Sequence, residues 1–318
     1  MKAFFAWLKS HPDVKFSLIL ALIGLSLLPG RNHFYDLDLG EARPLVRTVN
    51  LSLPPLAEIP INATGVKAPG LSARSAVVID VDSKTILYAK SPDLKLLPAS
   101  TTKIMTALVA LDAYPLDKVI TIDSVHQTGQ VMELKPGERI TVENLLYGLL
   151  VESANDAATV LAQKFPGGED AFIDAMNQKV KNLGLSNTNF TNASGLDAYG
   201  HYTTAHDLAL IAAAAMDNPV FKKIVGTLGI TVSDTDNTIS HDLETINELL
   251  GETPGLAGVK TGWTELAGEC FVSFVSRGGR DLITVVLGSG DRFGETTALI
   301  NWAYQNHRWR VPTPATVP

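Results

Sequence analysis

The stretch PASTTKIMTALVAL, residues 98–111, places a serine and a lysine where an apolar helical pattern begins. Apolar residues recur at spacings of three and four from Ile104 onward, which predicts a helix that starts near Ser100. Residues three apart share one face of a helix, so the Ser100 hydroxyl and the Lys103 amine can approach within hydrogen-bonding distance. A neutral lysine amine can accept the serine proton if burial or nearby positive charge lowers the lysine pKa. The alternative is that Ser100 caps the helix and Lys103 is solvated.

The segments around this stretch predict strands at both ends of a domain and helices between them. Strand patterns occur in SAVVIDV (75–81), TILYAK (85–90), LAGVKTG (256–262), ECFVSFVSR (269–277) and RDLITVVLGSG (280–290), and helical patterns at about 101–217 and 293–305. The first two strands and the last two are expected to form hairpins. The predicted fold class is therefore α/β of the α+β type: a mostly antiparallel sheet flanked by helices, with an inserted helical lobe.

Composition divides the chain into four segments. We expect an export signal or anchor at 1–30, an extended proline-rich linker at 31–72, one folded domain at 73–310 and a tail at 311–318.

The first segment has the charge order of an exported protein. Lys2, Lys9 and Lys15 precede the uncharged run FSLILALIGLSLLPG, residues 16–30. No small-x-small cleavage site follows, which favours an uncleaved membrane anchor that leaves the rest of the chain on the outer side of the membrane. A cleaved signal peptide and a buried core helix are the alternatives.

Charge and cysteine content exclude several classes of function. The formal net charge is −7 and there is no basic run, which argues against a nucleic-acid partner. The single cysteine, Cys270, excludes an internal disulfide. His201 and His206 are five apart and no metal-ligand pattern surrounds them, so neither a metal nor another cofactor is expected.

Two further short patterns strengthen the nucleophile interpretation. Ser153-Ala154-Asn155 lies in the helical region, and Lys260-Thr261-Gly262 lies in a predicted strand; each pattern occurs once. Alone, Ser153 could be a capping or packing residue and Lys260 an exposed strand residue. Serine-x-x-lysine, serine-x-asparagine and lysine-threonine-glycine in this order are typical of penicillin-binding proteins and class A β-lactamases.

From about Ser75 to Gly290 the chain resembles the low-molecular-mass penicillin-binding proteins, specifically the serine-type D-alanyl-D-alanine carboxypeptidases. The resemblance is carried by PASTTKIMTA (98–107), VESANDAA (151–158), TNFTNASGLD (188–197) and GVKTGWTELAGEC (258–270). It implies a DD-peptidase/β-lactamase-like fold and removal of the terminal D-alanine from peptidoglycan stem pentapeptides. β-Lactam antibiotics would be covalent inhibitors.

The resemblance also implies catalytic roles. Ser100 would form the acyl-enzyme, Lys103 would be its base, and Ser153 would relay a proton toward the leaving amine.

Substrate binding would use the other motif residues. The resemblance implies that the Asn155 amide holds the substrate backbone and the Lys103 side chain, and that Lys260 and Thr261 bind its carboxylate. Gly262 is expected to let the substrate lie close to the strand. The backbone N–H groups of Ser100 and Trp263 would form the oxyanion hole.

Departures from the family pattern leave questions open. Trp263 replaces a histidine found in many relatives, which alters the pocket wall. His206 stands where relatives often have arginine, and we interpret it as structural. Arg292 is expected either in a surface ion pair or at a substrate carboxylate.

Other functions remain alternatives. A D,D-endopeptidase that cuts peptidoglycan crosslinks would share all three motifs. A β-lactamase needs a second base that we do not find after Asn155, and a noncatalytic wall-binding or penicillin-sensing module would have no need of the intact motifs.

Overall fold

The computed structural model describes residues 1–27, 58–123 and 128–312. The strands are β1 (Ile59–Asn62), β2 (Ser75–Asp80), β3 (Ile86–Lys90), β4 (Val119–Thr121), β5 (Arg139–Thr141), β6 (Gly229–Ser233), β7 (Ser240–Glu244), β8 (Leu256–Thr264), β9 (Gly268–Arg277), β10 (Arg280–Ser289) and β11 (His307–Arg310). The α-helices are α1 (Lys2–Ser10), α2 (Pro12–Leu27), α3 (Lys103–Ala113), α4 (Val142–Tyr147), α5 (Asn155–Gln163), α6 (Gly168–Asn182), α7 (Ala205–Met216), α8 (Pro219–Val225) and α9 (Arg292–Asn306). The chain divides into two compact units, Met1–Pro54 and Pro55–Pro318.

A five-stranded sheet forms the centre of the second unit. Its strand order is β3-β2-β10-β9-β8, and every neighbouring pair is antiparallel. Both predicted hairpins are confirmed, as β2–β3 and β9–β10. The pairing of β2 with β10, in which Ala76 lies opposite Val286, joins the first part of the domain to its last part. Within the described residues β8 pairs with β9 alone, so β8 is an edge strand.

Both faces of this sheet are covered. Successive side chains of a strand point to opposite faces. In β2, Val77 and Ile79 join the large core shared with the helices between β3 and β6, whereas Val78 packs with Leu299 and Trp302 of α9. Burial on both faces explains why these strands are nearly continuous apolar runs, because burying apolar surface is the main force in folding.

The helical lobe is confirmed, with two differences. The hairpin β4–β5 interrupts it, and α8 extends it past residue 217 to Val225. Strands of three residues are too short for an alternating pattern to be detected.

The predicted linker ends too late. Residues 58–72 belong to the second unit, where β1 pairs with β11 and Ile59 lies opposite Arg310. The Trp302 indole also donates to the Val66 carbonyl, at 2.9 Å. Pro60 is compatible with this two-stranded ribbon because proline is tolerated in edge strands. Residues 31–57 of the predicted linker lie outside the described residues, as do 313–318 of the tail.

In the first unit, the chain is helical on both sides of His11. Pro12 is the first residue of α2, a position at which the missing proline N–H costs no helical hydrogen bond. Of the helices in the described ranges, none is at once long and apolar enough to cross a membrane. Residues 28–30 of the predicted segment lie outside the described residues.

Candidate active site

Ser100 lies in a 3-10 turn, Ala99–Thr102, that runs directly into α3. Pro98 precedes the turn and Thr102 precedes α3, and neither end has a side-chain cap. The capping alternative for Ser100 is therefore wrong. Ala99 and Thr102 are buried, which fixes the backbone on both sides of the Ser100 side chain.

Lys103 is fully buried, so the solvated alternative for this residue is wrong as well. Its Nζ lies 2.9 Å from Ser100 Oγ, 2.7 Å from Asn155 Oδ1 and 2.7 Å from the Ser194 carbonyl oxygen. The helical spacing thus brings the serine and the lysine together as predicted, and two distant segments complete the contacts of the amine.

The surroundings of Lys103 favour the neutral amine. Burial lowers its pKa well below the ordinary value, and the positive charge of Lys260 lowers it further. The Asp156 carboxylate acts in the opposite direction and raises the Lys103 pKa. Burial is the largest of these effects.

The second motif follows a change of helix type. A π-helical turn, Gly148–Glu152, continues from α4, and Ser153 then adopts a left-handed conformation with φ of 70° before α5 begins at Asn155. Such turns are frequent at functional sites. Ser153 is buried and lines the same cleft as Ser100, and its hydroxyl makes no hydrogen bond within the described ranges.

Asn155 connects three parts of the site. Its Oδ1 accepts from Lys103, its Nδ2 donates to the Thr128 carbonyl at 2.7 Å, and its backbone N–H donates to the Gln130 carbonyl at 2.8 Å. Asn155 therefore fixes both the amine and the loop that forms one wall of the cleft.

The third motif lies on the edge strand β8. Lys260 is 1% exposed, so the alternative of an exposed strand lysine is wrong. Burial, assisted by the positive charge of Arg292, lowers the Lys260 pKa to about 7. The Thr261 hydroxyl is also buried, lines the cleft and has no hydrogen-bond partner in the described part of the chain.

Gly262 and Trp263 follow at the cleft. A Cβ on Gly262 would stand 2.9 Å from the Ser100 nitrogen and 3.1 Å from the Ala99 Cβ. Contacts this tight leave no room for a side chain, so the lack of one at Gly262 lets the turn that carries Ser100 pack against β8. The expected role of Gly262 in substrate approach stays a prediction. Trp263 is 62% exposed at the rim of the cleft.

Residues of all three motifs line one cleft of about 550 Å³. It is lined by Ser100, Ser153, Asn155, Thr261, Gly262 and Trp263, together with Arg292 and residues of the loops at 128–130 and 195–197. Lys103 and Lys260 lie buried behind its surface.

Arg292 donates to the Gly262 carbonyl at 3.2 Å and forms no ion pair among the described residues, which disagrees with the surface ion-pair interpretation. His206 is on α7, where its ring nitrogen lies 3.8 Å from Asp93, away from the cleft lining.

Several supporting groups were missed by sequence reasoning. The Ser194 carbonyl is a backbone atom, so no residue type identifies it. Asp156, the residue that follows Asn155, is buried. Its carboxylate accepts hydrogen bonds from the backbone N–H groups of Met132 and Leu134 at 3.1 and 3.0 Å, which orders the cleft-wall loop, the segment that contains residues 128–130. Its place in the ANDAA pattern was the available clue.

His201 was also missed. Its Nδ1 accepts from the Thr191 backbone N–H at 3.0 Å, so Nε2 carries the hydrogen and donates to Thr102 Oγ1 at 2.9 Å. Burial lowers the His201 pKa to about 4. A neutral imidazole thus supports the turn that carries Ser100.

The chain is similar to several known proteins. A family model described as D-alanyl-D-alanine carboxypeptidase matches residues 62–291. The D-alanyl-D-alanine carboxypeptidase DacF of Bacillus subtilis is 35% identical over 245 residues, which cover 74% of this chain and 63% of that protein. A D-alanyl-D-alanine endopeptidase of Pseudomonas aeruginosa is 32% identical over 275 residues, which cover 84% of this chain and 86% of that protein. The crystal structure of the Streptomyces K15 DD-transpeptidase superimposes with a TM-score of 0.72 at 34% identity, covering 76% of this chain and all of that one.

Proposed function

Because the chain belongs to the D-alanyl-D-alanine carboxypeptidase family, we propose that it removes the terminal D-alanine from peptidoglycan stem pentapeptides through an acyl-enzyme on Ser100. The observation that carries this proposal is the position of the Lys103 amine, buried and 2.9 Å from the Ser100 hydroxyl.

The hydrogen bonds of Lys103 suit a general base. A neutral amine has two hydrogens and one lone pair. The two hydrogens have acceptors in Asn155 Oδ1 and the Ser194 carbonyl. The lone pair is then left for the Ser100 hydroxyl proton, and general base assistance of this kind is worth roughly 10²- to 10⁴-fold in rate.

The reaction then follows from these positions. Ser100 Oγ forms a bond to the carbonyl carbon between the two D-alanines while its proton passes to Lys103. The carbon–nitrogen bond breaks, and the proton returns to the leaving amine with the Ser153 hydroxyl as relay. Water hydrolyses the acyl-enzyme in the second step. A β-lactam would acylate the same oxygen and remain bound.

The remaining cleft residues bind and polarise the substrate. The N–H groups of Ser100 and Trp263 would stabilise the oxyanion, and losing one such donor typically costs about 2.7 to 4 kcal/mol. The unpartnered Thr261 hydroxyl and the Arg292 guanidinium suit the terminal carboxylate. Lys260, buried behind them, adds positive charge. The Asn155 amide would bind the substrate backbone from the opposite wall, beside the edge that Gly262 leaves accessible.

Mass spectrometry of a stem pentapeptide tests this function. The full-length protein should release one alanine from it, and Ser100→Ala should release none. Unchanged peptide with active-site-competent protein, as judged by covalent labelling with a fluorescent penicillin, would contradict the carboxypeptidase assignment.

A D,D-endopeptidase is the second candidate, since the relative from Pseudomonas aeruginosa carries that name and aligns over most of both chains. The same acyl-enzyme chemistry applies when the leaving amine belongs to another peptide. Incubation with purified crosslinked muropeptide dimers distinguishes the two, because an endopeptidase converts dimers to monomers.

The D-alanyl-D-alanine carboxypeptidases are cell-wall peptidases, which act outside the cytoplasm. We further propose that residues 1–30 hold this enzyme at the extracytoplasmic face of the membrane, an idea supported by the lysines at positions 2, 9 and 15 and by the apolar sequence of α2. Protein that washes off isolated membranes with carbonate would contradict the anchor.

A further inference from the structure

Arg292 reaches the cleft from the first residue of α9. Its Nη1 donates to the Gly262 carbonyl of β8, and its Nε is buried without a hydrogen-bond partner among the described residues. Its backbone N–H donates to the Glu269 carboxylate of β9 at 2.8 Å. An arginine side chain is long and has many rotamers, so the position of the guanidinium depends on how firmly the start of α9 is fixed.

Glu295, in the first turn of α9, fixes the connection that leads into this helix. Only Gly290 and Asp291 separate β10 from α9. The hydroxyl of Ser289, the last residue of β10, donates to Glu295 Oε2 at 2.6 Å, and the same hydroxyl oxygen accepts from the Asp291 N–H at 3.0 Å. Glu295 therefore holds the connection against the end of the sheet.

The segment that enters the domain before β2 contacts the same carboxylate. The backbone N–H groups of Ser72 and Ala73 both donate to Glu295, and the Ala73 nitrogen lies 3.1 Å from Oε2. The Ser72 hydroxyl accepts from the Gly290 N–H at 2.9 Å. Ala73 is fully buried two residues before β2 begins, so the packing of the sheet fixes its position. Glu295 thus joins the start of α9 to a fixed part of the domain.

These contacts require the carboxylate form of Glu295. Burial raises the Glu295 pKa, but the hydrogen bonds from Ser289, Ser72 and Ala73 outweigh burial, so the pKa lies below its ordinary value. All three partners donate to the carboxylate. A glutamine of the same size keeps one acceptor oxygen, and its amide nitrogen can accept from none of them. Glu295→Gln therefore weakens the connection without leaving a cavity.

We propose that Glu295 is a positioning residue, which holds the start of α9 so that the Arg292 guanidinium can bind the terminal carboxylate of the substrate. The inference rests on the proposed function and adds to it a residue behind the cleft. Glu295 is not among the residues that line the cleft, so it acts on the substrate only through Arg292.

The test compares two pentapeptides that differ only at the terminal D-alanine, which carries either a free carboxylate or an amide. The full-length enzyme should prefer the carboxylate. Arg292→Ala should lower the ratio of the two kcat/KM values by roughly 10- to 100-fold, as expected for a hydrogen bond to a charged group. Glu295→Gln should lower it by about 5-fold or more. Any loss of folded enzyme affects both peptides equally and leaves this ratio unchanged.

The double variant Arg292→Ala/Glu295→Gln separates positioning from a general structural effect. If Glu295 acts through Arg292, the double variant should have the same ratio as Arg292→Ala alone. Thr64→Ala is the matched control. The Thr64 hydroxyl donates to Asn306 Oδ1 at 2.6 Å, which joins the entering segment to the other end of α9, about 21 Å along the helix from Arg292. This variant should keep the ratio of the unmodified enzyme.

Three results would overturn the positioning role while leaving the carboxypeptidase intact. They are an unchanged ratio in Glu295→Gln, an unchanged ratio in Arg292→Ala, and a double variant with a lower ratio than Arg292→Ala. Cleavage of neither peptide by the unmodified enzyme would contradict the proposed function and this inference together.

Discussion

Gly195 lies directly against Ala99, the residue before the proposed nucleophile Ser100. A Cβ on Gly195 would stand 1.9 Å from the Ala99 carbonyl oxygen and 2.9 Å from Thr102 Oγ1. Gly195 follows Ser194, whose carbonyl accepts from Lys103. This close backbone contact therefore positions both the turn that carries Ser100 and the Ser194 carbonyl, which accepts a hydrogen bond from Lys103.

Gly195→Ala should reduce the rate of acylation by a penicillin at least about 100-fold, because a displacement of roughly 1 Å at a reacting group has an effect of that size. Gly200→Ala is the matched control. Gly200 has a similar positive φ, 78° against 89°, but the nearest atom to its added Cβ is 3.7 Å away. The control should cost only about 1 kcal/mol of stability from the left-handed backbone. Similar acylation by both variants would refute the proposed alignment.

Lys103→Ala should lower the acylation rate by about 10²- to 10⁴-fold, since it removes the proposed base. Stopped-flow measurement with a chromogenic β-lactam gives the rate directly. Lys181→Ala, at an exposed position near the end of α6, is the control and should react like the unmodified enzyme. Acylation at the normal rate in Lys103→Ala would remove Lys103 from the mechanism.

The sequence predicted most of the side chains that line or support the candidate site, because they occur in short motifs. Ser100 and Lys103 are one helical turn apart, and local spacing alone brings them together. The two glycine-linked strands β9 and β10 were predictable for the same reason, since both their pattern and their turn are local.

Long-range contacts and contacts of backbone atoms could not be predicted from the sequence. The Ser194 carbonyl is 91 residues from Lys103, and any residue type could supply it. The role of Gly262 depends on how closely β8 approaches the Ser100 turn, which no local pattern encodes. The β1–β11 ribbon was missed because prolines in residues 58–72 resemble those of a linker, whereas the pairing partner lies at the other end of the domain.

The pH dependence of acylation should respond in opposite directions to two charge removals. In the proposed mechanism acylation requires neutral Lys103, so the acylation rate should fall as the pH drops through the Lys103 pKa. Lys260→Met removes a positive charge that lowers this pKa, and should move the acidic limb of the rate profile to higher pH. Asp156→Asn removes a negative charge that raises the pKa, and should move the limb to lower pH.

The position of the limb, and not the maximal rate, is the quantity to compare, because both variants also alter binding or the cleft-wall loop. Asp234→Asn is the control for a structural effect. Asp234 is likewise buried and accepts from backbone N–H groups, those of Thr238 and Ile239 at 2.7 and 3.0 Å, but it belongs to the β6–β7 hairpin. Its profile should match that of the unmodified enzyme, and a shift in the same direction for Lys260→Met and Asp156→Asn would contradict the electrostatic explanation.

His201 should make the protein sensitive to mild acid. Its folded-state pKa of about 4 lies below the ordinary value of 6.5, so the unfolded chain binds more protons between these two values. The free energy of unfolding should therefore fall as the pH drops from 6.5 to 4, by up to about 3 kcal/mol from this residue. His201→Gln cannot titrate, and urea unfolding across this range should give a shallower slope for it than for the unmodified protein. Gly200→Ala, destabilised but with His201 intact, should keep the original slope. Identical slopes in the His201→Gln variant and the unmodified protein would mean that protonation of this buried imidazole does not limit acid stability.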